Sequence, residues 1–300
     1  MRYGGHETFT IREGWLSKAL TLLQEEPKAF FYKVELANAL GVGVNMGKSI
    51  EHWLLATKLV TKIPLQEIRE KKEKKKYDLT DLGLLIYKYD PYMTLEESWW
   101  LLHINMVRNP EYAATWDWFF NEFTDLKFDK LKVIHKLLAK EEALPGRVPS
   151  QNTLDRDVSC FLNTYAQTIP RGIKDPEEEY VCPFVELQLM THQRKSGTYE
   201  LNRRGRHLRP EIFLYALNLL LGDEKKSYDA TLTWLSKERS GPLQTLCLTS
   251  EGLFDLAMES QGALSKPYNY SIQSLAGDRQ IVYTNPGNTA LLSKMYEELA

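Results

Sequence analysis

VELANALGVGVNMGKSIEHWLLATKLV, residues 34–60, continues into TKIP at 61–64 and YDLTDLG at 77–83, and its reading decides the fold. A short apolar helix turns sharply at Gly41-Val42-Gly43, and a second helix follows. Next come a strand-like TKIP, a lysine-rich tip and a second strand. That order predicts a winged helix-turn-helix. The second helix carries Met46, Ile50, Trp53, Leu54 and Thr57 at helical spacing, so one stripe faces a core. Asn45, Lys48, Glu51 and His52 are left for the other side, where Asn45, Lys48 and His52 are candidate DNA contacts. The tip, Lys71-Lys72-Glu73-Lys74-Lys75-Lys76, is too charged to fold inward and suits phosphates through its lysines. Winged helices also serve as protein-interaction modules, and charged tips are often simply solvated.

Composition narrows the classes. The chain has 300 residues, 43% of them hydrophobic, enough to fill a sizeable core. A net charge of -2 excludes a histone-like polycation, so a nucleic-acid surface must be a local patch. Residues 33–76 supply one, with ten Lys or Arg against five Glu. A second cluster packs Arg203, Arg204, Arg206 and Arg209 into seven residues; its expected state is exposed, with Arg203, Arg204 and Arg206 as further candidate contacts to DNA or to a protein partner. Cys160, Cys182 and Cys247 are widely spaced and form neither a disulfide framework nor a zinc knuckle. MRYGGHETF lacks the apolar run of a signal peptide, and no stretch reaches the ~20 apolar residues of a membrane span. The expectation is a cytoplasmic protein without a membrane segment.

Along the chain, a helix is expected from Gly14, with Leu16, Ala19, Leu20 and Leu23 on one side. Asp90-Pro91 closes the first region. Trp99, Trp100, Trp116 and Trp118 then read as core of a helical region rather than as a base-stacking platform. NTLDRDVSCFLNTYAQ places Leu154, Val158, Phe161, Leu162 and Tyr165 on one stripe. GTYELNRRG reads as a strand leaving a turn, EIFLYALNLLLG and SYDATLTWLSK as helices, and LFDLAMESQG as another. YNYSIQSLA and RQIVYT are expected strands before a terminal helix from Thr289. The fold class is therefore mainly α with small β elements (α+β). Its expected domains are a winged helix-turn-helix over 1–90, a Trp-rich helical domain over 91–170, and a mixed C-terminal domain over 171–300.

Few motifs carry chemistry. Gly43 to Ser49 imitates a phosphate-binding loop, but position 42 is valine and a helix precedes it, so no nucleotide cofactor is expected. Asp155 and Asp157 suggest a metal-assisted nuclease site. Residues two apart on a helix point about 200° apart, so the pair cannot converge on one ion. Arg156 points away from the stripe. His6, Glu7 and Arg12 crowd a short segment before the first helix. A histidine can take a proton, a carboxylate can accept one or hold a divalent ion, and an arginine can bind phosphate. The same residues serve equally well as a hydrogen-bond hub fastening the N-terminus.

Taken together, GGHETFTIREGWLSKA, LGVGVNMGKSIEHWLLA, YDLTDLG, DPYMTLEESWWLLH, TWDWFFNEF, TLDRDVSCFLNTY and CPFVELQL, in that order, resemble a bacterial family. It carries a domain of unknown function, accompanies DNA phosphorothioation genes and includes SspB-type nickases. The resemblance runs from Tyr3 to about Leu221. It implies an enzyme that nicks one strand of duplex DNA so that partners can install sulfur in the backbone. Those partners would be a cysteine desulfurase, a sulfur-transfer component and an ATPase. By resemblance His6, Glu7, Arg12 and Trp15 match the N-terminal motif, and Asp155, Arg156 and Asp157 the central one. The chain departs from the pattern at Val44 and Gly47, which supply neither charge nor bulk for base contact. Phosphodiester hydrolysis commonly uses a divalent ion, so Mg2+ or Mn2+ is the expected aid, with its ligands unassigned. A non-catalytic DNA-binding adaptor is the competing expectation.

Overall fold

The structure is a computed structural model that describes residues 3–64, 66, 68, 76–146, 148–167, 181–275 and 277–300. The chain is mainly helical with small sheets, and it divides into two compact units. One comprises Met1–Phe119 with Thr124–Asn202, the other Phe120–Phe123 with Arg203–Ala300.

The first unit begins with α1 (Trp15–Glu25), whose Leu16, Ala19, Leu20 and Leu23 are buried as their spacing requires. A 3-10 turn (Pro27–Phe31) leads to α2 (Lys33–Leu40). Gly41 ends α2 at φ 66°, a left-handed conformation that glycine adopts without strain. Three residues on, α3 (Val44–Ala56) begins. β1 (Val60–Lys62) and β2 (Tyr77–Leu79) then pair antiparallel, with Val60 opposite Leu79 and Lys62 opposite Tyr77. Thr80 caps α4 (Asp81–Tyr89) by accepting the Gly83 N–H at 3.1 Å. A Cβ on Gly83 would lie 2.1 Å from the Leu59 carbonyl oxygen, so this close approach requires glycine.

Asp90, expected only to break the chain, is buried and fastens the turn that leads into α5 (Glu96–Met106). Its carboxylate accepts from the Thr94 N–H at 2.8 Å and the Ser98 hydroxyl at 2.6 Å. α6 (Ala114–Glu122), β3 (Lys127–Phe128), α7 (Lys130–Ala143) and α8 (Gln151–Tyr165) follow. Trp99, Trp100, Trp116 and Trp118 are all buried, as expected of core. Trp116 meets Trp53 and Phe161 edge-on, with centroids 5.4 and 5.5 Å away. The stripe of α8 is buried in full, and Ser150 caps that helix through the Thr153 N–H. β4 (Ala166–Gln167), β5 (Met190–Gln193) and β6 (Thr198–Leu201) join β3 in the order β3-β6-β5-β4, with β4 running parallel to β5.

The second unit holds α9 (Pro210–Leu221), β7 (Ser227–Thr231), α10 (Leu232–Lys237), α11 (Pro242–Thr245) and α12 (Ser250–Tyr268). β8 (Ser271–Leu275), β9 (Asp278–Thr284) and α13 (Asn288–Leu299) complete it. Its sheet is antiparallel in the order β7-β9-β8. SYDATLTWLSK is not one helix. Its first half pairs with β9, Tyr228 opposite Tyr283, and Thr231 caps α10 by accepting the Trp234 N–H. The β-branched and aromatic residues of that half fit a pleated strand, and the capping threonine separates the two elements.

Candidate functional site

The site is organised by the segment before α1. His6 is buried, and its Nε2 lies 2.8 Å from Asp157 Oδ1 on α8. The Thr8 N–H points at His6 Nδ1 from 3.1 Å, which leaves the ring proton on Nε2 for Asp157. Asp157 is saturated further. The Gly4 N–H donates to Oδ1 at 2.5 Å, and the Thr115 hydroxyl to Oδ2 at 2.6 Å. The His6 ring also stacks on Trp53 at 5.9 Å. Downstream, the Phe9 carbonyl accepts from Trp53 Nε1 at 3.0 Å and Ser49 Oγ at 3.4 Å. Tyr3 closes the inner end, where burial and the nearby charges of Glu141, Asp157 and Asp117 push its phenol pKa far upward.

Between these anchors, Glu7 and Thr8 adopt left-handed backbone at φ 49° and 70°. Two consecutive non-glycine residues in that region carry strain that the anchors on either side must hold. The result is an outward Glu7 that lines two clefts. The first, about 260 Å³, is bordered by Lys33 from α2, Lys48 from α3, Lys62 from β1 and Lys76 just before β2. Lys48 Nζ lies 3.6 Å from Glu7 and 2.9 Å from Asn45 Oδ1. Glu51 accepts from Lys76 Nζ at 2.5 Å and from the Tyr77 hydroxyl at 2.6 Å. Lys62 sits over the Tyr112 ring at 5.1 Å, with no carboxylate partner among the described residues. The second cleft is lined by Ser150, Asn152, Thr153 and Arg156 on its far side.

His6, Glu7 and Asp157 are therefore brought together, the pair inside and Glu7 at the surface. Arg12 lies over the Phe9 and Trp15 rings at 5.7 and 5.3 Å. Asp155 stands apart from Asp157 and pairs with Lys130 at 2.7 Å, as opposite helical directions require. His52 corrects an expectation. It belongs not to an open face but to the interior, 5% exposed, with rings of Trp53 and His6 against it. The N-terminal loop covers that side of α3. Lys71, Lys72, Lys74 and Lys75 lie outside the described residues. In the arginine cluster, expected to be exposed, Arg204 is exposed while Arg206 is buried. Arg203 donates to the Phe120 and Leu243 carbonyls, and Arg209 pairs with Glu211 and Glu298. The pull of backbone carbonyls and carboxylates within the second unit accounts for this. Lys33, Lys62 and Thr115 were not singled out from the sequence, and each is an isolated residue that only the fold brings into place.

Among the described residues, no three His, Cys, Asp or Glu side chains come together as a metal site requires. Both oxygens of Asp157 are already used by donors, and Glu7 is a single carboxylate. No described helix is long and apolar enough to cross a membrane.

Two solved structures share this fold, a magnesium ion-bound SspB crystal structure and an SspB crystal structure. Each aligns with a TM-score of 0.82 and 23% identity, over 99% of this chain and 87% of the other. No curated protein matches the chain. The model of one family, described as a protein of unknown function (DUF4007), matches residues 3–296. With that match over nearly its whole length, the chain belongs to the DUF4007 family.

Proposed function

We propose that this protein is a DNA-nicking component of a bacterial DNA phosphorothioation system. The observation that carries the reading is the convergence of Lys33, Lys48, Lys62 and Lys76 around a cleft whose border is Glu7. Lysines from separate elements neutralise successive phosphates, and α1 to α3 with the β1–β2 hairpin act as a winged helix-turn-helix on the duplex. The open start of α3, with Asn45 and Lys48, faces the DNA. Glu7 takes the proton of a water whose oxygen attacks phosphorus, and the bond from phosphorus to the sugar oxygen breaks, that oxygen leaving with the bonding electrons and taking a proton from solvent. The lysines offset the charge that builds on the phosphoryl oxygens. The nicked strand then passes to sulfur-transfer partners, a cysteine desulfurase and an ATPase among them. The SspB-like fold and the family resemblance support this setting.

A second reading, a non-catalytic DNA-binding adaptor, has its own observation. His6 and Asp157 are enclosed and fully engaged with each other, so neither reaches a phosphodiester directly. Relaxation of supercoiled plasmid, in Mg2+, in Mn2+ and in chelator, separates the two. Open circles made by the native protein and lost in a DNA-binding Glu7→Gln variant uphold the nickase. Intact plasmid in every condition, with DNA binding that still depends on Lys33 and Lys62, selects the adaptor.

A further inference from the structure

The end of α1, the 3-10 turn Pro27–Phe31 and α2 border a groove of about 560 Å³ that shares no lining residue with the lysine cleft. Its origin lies in side-chain spacing. Tyr32, Glu35 and Ala39 fall at i, i+3 and i+7, so they share one face, while Leu36, Ala37 and Leu40 turn into the core. The small side chains of Ala29 and Ala39 leave the hollow, and Tyr32 stands beside it, 63% exposed. Glu25, Glu26 and Glu35 border it against a single cation, Lys28. Among the described residues, none of those glutamates has an ion-pair partner.

An apolar hollow with an exposed tyrosine and an acidic rim repels a phosphate backbone. It complements a chain segment that carries both an apolar side chain and Lys or Arg. We propose that this groove docks a basic, apolar-anchored peptide segment of a partner protein. The apolar anchor enters the hollow at Ala29 and Ala39, a guanidinium or ammonium lies over the Tyr32 ring, and the glutamates pair with flanking cations. One surface of the first unit thus meets protein, whatever the lysine cleft does to DNA.

The test uses the full chain and a short fluorescein-labelled peptide of alternating arginine and leucine, read by anisotropy. Controls are the same peptide with serine for leucine, the same with glutamate for arginine, and a labelled DNA duplex. Binding of the arginine–leucine peptide is expected to weaken roughly tenfold in Tyr32→Ala and in Glu35→Lys. Ala39→Arg fills the hollow and is expected to abolish it. Each variant alters an exposed residue, and its melting temperature is checked against the native chain. Equal affinity in native and variant proteins overturns the proposal. So does equal binding of the arginine–serine peptide, which would mean charge alone. Loss of duplex binding in Tyr32→Ala would assign the face to DNA and likewise overturn it. None of these readouts depends on nicking, so the proposal stands or falls separately from that activity.

Discussion

His6 Nε2 lies 2.8 Å from Asp157 Oδ1, a contact made across 151 positions of sequence and sealed from water. It ties the loop before α1 to the middle of α8. Through the left-handed Glu7 and Thr8, it also decides where Glu7 points. The pair is thus a latch whose consequence appears at the surface.

Breaking the latch from the acid side is expected to cost most. Asp157→Ala leaves the His6 Nε2–H, the Gly4 N–H and the Thr115 hydroxyl without their acceptor inside the protein, a loss of about 3 kcal/mol or more. His6→Ala is expected to cost less, and His6→Gln less still, because a glutamine amide can donate to Asp157. Urea unfolding gives the order, and limited proteolysis shows whether the loop before α1 opens first. Equal stability of Asp157→Ala and the native chain would remove the latch.

Glycines give a paired prediction of opposite sign. Replacing a helical glycine by alanine normally gains up to about 1 kcal/mol of helix propensity. Gly262, exposed within α12 with nothing within 4 Å of an added Cβ, is expected to show that gain. At Gly83 the added Cβ would meet the Leu59 carbonyl oxygen at 2.1 Å, and backbone cannot move aside cheaply. Gly83→Ala is expected to lose about 2–3 kcal/mol, by the overpacking that forces chain shifts. Thermal melts of the two variants should move in opposite directions.

Cys160, Cys182 and Cys247 are all buried, and burial raises each thiol pKa, that of Cys182 to about 12. A folded pKa raised above the unfolded value of 9.0 gives stability that is complete below pH 9. For Cys182 it is lost as pH rises from 9 towards 12, because the unfolded chain releases its thiol protons first. Alkylation at neutral pH should therefore be slow until the chain unfolds, and unfolding midpoints should fall on titration above pH 9. Fast native-state labelling of Cys182 would contradict its burial.

Local periodicity made much of this legible. The α8 stripe, the tryptophan core and the turn at Gly41 all follow from spacings of a few residues. What escaped depends on distance along the chain. An amphipathic stripe shows which side of α3 meets its neighbouring helices, but not that residues 6–9 return over the side holding His52. The divergence of Asp157 from Asp155 is legible in their spacing, while the partners of Asp157 on the N-terminal loop and α6 are not. The segment Ser227–Lys237 was misread because Leu232 and Leu235 continue a helical spacing that the strand before Thr231 merely resembles.

The lysine cleft makes the most direct prediction about DNA. Lys33 and Lys62 project from different elements, and neither has a carboxylate partner among the described residues, so each is available to a phosphate. Neutralising one phosphate releases counterions in proportion, so the log–log dependence of affinity on salt has a slope of about -0.9 per contact. Lys33→Ala and Lys62→Ala should each lower that slope by about 0.9 and weaken binding to every duplex sequence alike. Lys76→Ala should do less, because its ammonium is already held by Glu51 at 2.5 Å. Anisotropy titrations over a range of salt read both quantities. A slope unchanged in the Lys33 and Lys62 variants would mean that DNA, if bound, lies elsewhere.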